Sequence, residues 1–189
     1  MLTIMVPEKE LFNNETGRFY KIPAQELQLE HSLISLSKWE SKWHIPFLND
    51  NKRTQHEKTS EQIIDYIRCM TINKNVNPLV YYALTKQNFE DINAYINDPM
   101  TATTFREDPN KSKVNVSGTF TTAEIIYWQM YELGIHHDWE KRHLNRLMTL
   151  IRVMSEKREQ ANNPKKMSNS ELMKHNRALL AARRKPRIH

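Results

Sequence analysis

His136, His137, Glu140 and His143 crowd into one short stretch, and Glu140 with His143 has the E-x-x-H spacing that puts a carboxylate and an imidazole on one side of a helix. Helical di-iron sites use that spacing, but they need a second copy of it and further carboxylates. No other helical stretch supplies them, so the expectation is a solvated or hydrogen-bonded histidine cluster, not a metal centre. Cys69, the single cysteine, sits in "DYIRCMT" and reads as a buried, inert thiol before it reads as a nucleophile. Three scattered glycines, Gly17, Gly118 and Gly134, cannot assemble a phosphate-binding loop, and neither a dinucleotide fingerprint nor a nucleophile elbow occurs. A non-enzymatic protein is therefore expected, with no catalytic residue, no cofactor and no metal.

The elements that carry these residues read as mainly α: a helical domain with a small N-terminal β-hairpin or three-stranded sheet and a C-terminal basic helical arm. "LTIMV" and "RFYKI" flank the turn-rich "NNETG" and are expected to pair, with Glu26 to Leu29 as a third strand. A helix is expected from Ser32, and Thr59 to Gln62 has capping-box spacing ahead of Ile63, Ile64, Ile67 and Met70. Asn77 before Pro78 marks a helix start into "LVYYAL", and Asn88 is the expected cap of the next helix. Thr121 to Glu124 repeats the capping box before "IIYWQMYEL", an almost wholly apolar helix expected to be central and to end at a left-handed Gly134. Asp138 is expected to open the longest helix, with Leu144, Leu147, Met148, Ile151 and Met154 inward.

Two features bear on interaction. Trp39 and Trp43 share a helical stripe with Leu36 while Ser35, Lys38 and Ser41 turn away, so the pair is either core or a partly exposed aromatic patch for protein association. At the other end, residues 1–160 read as the domain and residues 161–189 as a hinge plus arm. From Pro164 to His189 eight basic residues face one acid, a net of +7 within a chain of net +6, which leaves the remainder near −1. Leu172, Met173, Leu179 and Leu180 give the arm an apolar stripe, and Arg177, Arg183, Arg184 and Lys185 a basic rim. That combination suits docking on an acidic partner helix. Phosphate contact is the competing reading, without base stacking, because the arm has no aromatic residue. A solubilising tail is the third. A lone cysteine, no leader pattern and no apolar run near the roughly 20 residues of a bilayer span predict a reducing, cytosolic setting away from membranes.

The blocks "LQLEHSLISLSKWESKWHIPFL", "IIDYIRCMT", "DPMTATTF", "TAEIIYWQM", "HLNRLMTLIRV", "PKKMS" and "RALLAARRK" resemble, in order and over nearly the whole chain, small proteins of tailed-bacteriophage tail cassettes. The resemblance implies a tail assembly chaperone that binds the tape-measure protein, keeps its apolar helices soluble and leaves as tail-tube subunits polymerise. The implied location is the host cytoplasm. Alternatives are a structural virion component, a baseplate, tail-tip or connector subunit whose arm docks on its neighbour, and a nucleic-acid-binding packaging or head-completion protein. Tail proteins, and a second copy of the chain, are the expected partners.

Overall fold

The computed structural model describes residues 1–14, 17–48, 58–105 and 121–162, together with Met173 and Arg177. It corrects the mainly helical expectation. Among the described residues, five α-helices combine with two small antiparallel two-stranded sheets, a mixture of helix and strand. Few glycines argue against many tight turns, but a long hairpin needs only one, and Gly17 supplies a left-handed φ of 63° there.

The strand pairing also differs from the expectation. β1 (Leu2–Val6) pairs with β4 (Gln25–Leu29), and β2 (Lys9–Asn13) with β3 (Arg18–Ile22), so "LTIMV" and "RFYKI" are not partners. Val6 opposes Gln25 and Lys9 opposes Ile22, which keeps both ladders in one register, as a single hairpin interrupted at Pro7 and Pro23. Neither proline has an N–H to donate to a ladder. The interruption also changes which face is covered. Ile4, Val6, Leu27 and Leu29 are buried, but beyond the prolines the alternation shifts: Ile22 is buried, Leu11 packs against the core, and the cross-strand pair Phe12 and Phe19 is left exposed. Strong twist in a narrow ribbon accounts for that change of face. The outer edge of β4 is occupied, because Ile72 N–H donates to Gln28 O at 2.8 Å and Glu30 N–H to Met70 O at 2.9 Å.

Local capping sets most helix starts. α1 (Leu33–Trp43) begins at a Ser32–Ser35 capping box and α2 (Ser60–Met70) at the expected Thr59–Gln62 box. For α3 (Lys86–Asn97) the cap is Thr85, and Asn88 is its reciprocal partner three residues on, not the cap itself. Asn77 and Pro78 lead only into a short 3₁₀ turn, Val80–Tyr82. α4 covers Ala123–Glu132, and Gly134 beyond it has φ 69°. Asp138 lies in a second 3₁₀ turn, His137–Lys141, so α5 (Leu144–Asn162) starts later than expected. Long-range bonds explain the delay: His143 Nε2 donates to Tyr95 O at 3.0 Å, and Asn145 Nδ2 donates to Ile96 O at 2.9 Å and Asp98 O at 2.8 Å. These add donors to carbonyls at the C-terminus of α3, of which Tyr95 O also accepts Asp98 N–H at 3.3 Å.

By packing, the chain forms two units, Met1–Arg152 and Val153–His189. In the first, Trp39 of α1, Tyr66, Ile67 and Met70 of α2, and Ile92 and Tyr95 of α3 close over the buried face of the hairpin. α1 also lies beside α4, where Leu33, Leu36, Ala123, Ile126 and Met130 are buried. In the second, Met173 and Arg177 are helical and exposed, whereas Leu172, Leu179, Leu180, Arg183, Arg184 and Lys185 lie outside the described residues. Among the described residues no helix is long and apolar enough to cross a membrane.

Candidate interaction surface

The tryptophan stripe of α1 faces α2. Trp39 is 0% exposed, its indole N–H donates to Gln62 O at 2.9 Å, and its ring meets Phe47 edge-on at 5.1 Å. Trp43 is half-buried and donates to Asp65 Oδ2 at 3.0 Å. Asp65 also receives Lys42 at 2.6 Å and Arg68 at 3.1 Å. Burial alone would raise the Asp65 carboxyl, but the hydrogen bonds from Lys42 and Trp43 and the nearby cations outweigh it and hold its pKa below the usual range. Trp39 thus has no surface left for a partner, and Trp43 is tied to a buried carboxylate.

The histidines do not converge as a site. Glu140 accepts the Tyr127 hydroxyl at 3.0 Å and faces His137 at 3.1 Å, while His143 turns into the interior. Among the described residues there is no group of three or more His, Cys, Asp or Glu that could hold a metal ion. His143 meets a residue that spacing could not reveal, His31, with ring centroids 5.2 Å apart. His31 sits at the β4–α1 junction, where Leu144 N–H donates to its carbonyl at 2.7 Å and its Nδ1 lies 2.6 Å from the Tyr66 hydroxyl. A carbonyl only accepts, so His143 Nε2 carries the proton, and its buried Nδ1 has no hydrogen-bond partner among the described residues. Burial, then the facing His143, lowers the His31 pKa to about 4, and burial lowers that of His143. Burial also raises the half-buried Cys69 thiol, which disfavours the thiolate.

Glu40 fastens α4 to α1. Its Oε1 accepts Phe47 N–H at 2.7 Å and its Oε2 accepts Ala123 N–H, the first amide of α4, at 2.7 Å. The expected Thr121–Glu124 capping box does not form: the N-cap is Thr122, and its side chain makes no cap bond. Burial raises the Glu40 pKa against the two amide bonds.

α4 is not enclosed, contrary to its apolar sequence. Ala123, Ile126 and Met130 face inward, while Trp128 is 61% and Tyr131 85% exposed. Three residues apart, these two side chains adjoin on the outer face. Tyr127 flanks them half-buried; its ring lies 6.1 Å from His137, and burial, then its bond to Glu140, pushes its hydroxyl up to about 12. Among the described residues neither the Trp128 nor the Tyr131 side chain makes a hydrogen bond or a ring contact. Glu124 and Glu132 are exposed towards either end, and α4 contains no basic residue. The sequence signal was present in "YWQMYE", two large aromatics at i and i+3 beside carboxylates, but an all-apolar helix does not show which side is left uncovered. Compared with family models, curated proteins and solved structures, the chain matches none.

Proposed function

We propose that this chain is a protein-binding module of phage tail morphogenesis, acting as a tail assembly chaperone that engages the tape-measure protein. The observation that carries the reading is the outward Trp128 and Tyr131 of α4. Aromatic side chains of this size are costly to leave in water and are over-represented among interface anchors. A face only two helical turns long buries little area, which suits contacts that form and release repeatedly along a long client. The resemblance of the sequence blocks to tail-cassette proteins supplies the biological setting.

The test is a pull-down from cells assembling the particle, using the intact chain and W128A/Y131A, with mass spectrometry of purified particles. Recovery of the tape-measure protein by the intact chain, its loss in the variant, and absence of the chain from mature particles are the expected results. Stoichiometric presence in the particle would instead favour the structural-subunit alternative.

A further inference from the structure

We propose that His31 and His143 form an acid-sensitive latch: proton uptake by the pair frees the start of α5 from the C-terminus of α3 and from the β4–α1 junction, while the hairpin and the helices packed on it stay folded. The latch stands whether or not α4 binds a partner.

The start of α5 is held at a few points. Leu144 N–H donates to His31 O at 2.7 Å, and Ser32 and His143 form an isolated antiparallel bridge. His143 Nε2 donates to Tyr95 O at 3.0 Å, and Asn145 Nδ2 donates to Ile96 O and Asp98 O. The apolar residues behind these bonds, Leu144, Leu147 and Ile151, are buried but do not belong to the cluster that closes over the hairpin. The first turns of α5 can therefore part from α3 without opening that cluster, which is the condition for a local opening. Once parted, a few turns of helix are marginal in water and fray.

Charge controls the latch because an added proton has no acceptor to meet. The two rings are 5.2 Å apart and 2% and 6% exposed. His143 already gives its Nε2 proton to Tyr95, so the next one lands on the buried Nδ1, which has no hydrogen-bond partner among the described residues. On the α2 side His31 Nδ1 lies 2.6 Å from the Tyr66 hydroxyl. Burial above all keeps that hydroxyl protonated, with Cys69 and Glu40 acting in the same sense, so it offers no countercharge. Around His143, Glu30 and Asp98 favour the charged form and the amine of Met1 opposes it. Glu30 is engaged elsewhere: its Oε1 accepts the Tyr95 hydroxyl at 2.7 Å and its Oε2 lies 2.9 Å from that amine. Burial outweighs these charges at His143, and burial together with the facing His143 holds His31 down at about 4. In the open form the rings meet water and titrate near 6.5. Closure is therefore complete above about pH 6.5 and weakens as the pH falls towards 4.

Native-state amide hydrogen exchange of the full chain at pH 7, 6 and 5, corrected for the intrinsic pH dependence of exchange and repeated in low urea, tests the latch. His31 alone makes the open form roughly twentyfold more populated at pH 5 than at pH 7. Protection at Leu144 and at Leu147 to Leu150 is expected to fall by at least that factor, to stay below that of residues 63–70 at every pH, and to be unmoved by low urea. H31Q/H143Q keeps a side-chain donor within reach of Tyr95 O but cannot titrate, and its protection at these residues should change less than threefold between pH 7 and pH 5. If the double variant does not fold, H31Q alone decides, with a pH response at least threefold smaller than that of the unaltered protein. Protection unchanged between pH 7 and pH 5, or a pH response kept in these variants, would overturn the proposal. So would a urea-sensitive fall to the same values as residues 63–70, because α5 would then open only when the whole domain unfolds.

Discussion

His31 and His143 are held neutral in the interior, and that makes stability depend on acid. The folded-state pKa of His31 is about 4 against an ordinary 6.5, so as pH falls the unfolded chain takes up the proton first. Stability is therefore present above about pH 6.5 and is lost progressively towards pH 4, by on the order of 3 kcal/mol for His31. His143 adds to the same sign; Glu30 and Asp98 nearby favour its charged form and the N-terminal amine opposes it. Glu40, with a raised pKa, acts in the opposite sense. Urea unfolding at pH 7, 5.5 and 4.5 should show the fall, and H31Q should flatten it. A slope unchanged in H31Q would place the acid sensitivity elsewhere. The tryptophans divide just as clearly. Trp39→Ala removes a fully buried ring and should cost about 3–5 kcal/mol. Trp128→Ala should stay within about 0.5 kcal/mol, because its ring is mostly in water. Urea titration of both variants checks the contrast.

At the scale of elements, the features legible in the sequence were those closed by neighbours. The Thr59–Gln62 box, the start of α1 at Ser32 and the left-handed Gly134 each rest on contacts within a few residues. What was not legible depends on distant partners. Strand pairing follows from which apolar residues the hairpin must present to α2 and α3, and the break at Pro7 and Pro23 decides where the ribbon changes face. The late start of α5 comes from α3, and the cap of α4 comes from Glu40, 83 residues before Ala123. The candidate surface was half visible for the same reason, since "YWQMYE" names its aromatics but not the side that packing leaves bare. The Glu40 cap makes a specific prediction. Glu40→Ala leaves the amides of Phe47 and Ala123 without their acceptors and should cost about 2–4 kcal/mol. Hydrogen exchange should speed up at residues 123–126 while α3 keeps its protection. Uniform loss across both helices would show that Glu40 supports the whole core and not α4 alone.

For the whole molecule, the basic charge is gathered at one end of the sequence. Among the described residues the buried apolar side chains run from Ile4 to Ile151, whereas the eight basic residues and one acid from Pro164 to His189 turn a near-neutral remainder into a chain of net +6. A protein ending at residue 162 lacks the basic segment and tests what that segment contributes. Its formal charge falls to about −1. If the basic segment served nucleic acid, the full chain would be retained on double-stranded DNA with a steep salt dependence and the shortened one released. On the protein-binding reading, weak retention of the full chain disappears by physiological salt, and the shortened chain still recovers the tape-measure protein, because Trp128 and Tyr131 lie outside the deleted segment. Salt-resistant DNA binding together with loss of that recovery would transfer the function from α4 to the C-terminal segment.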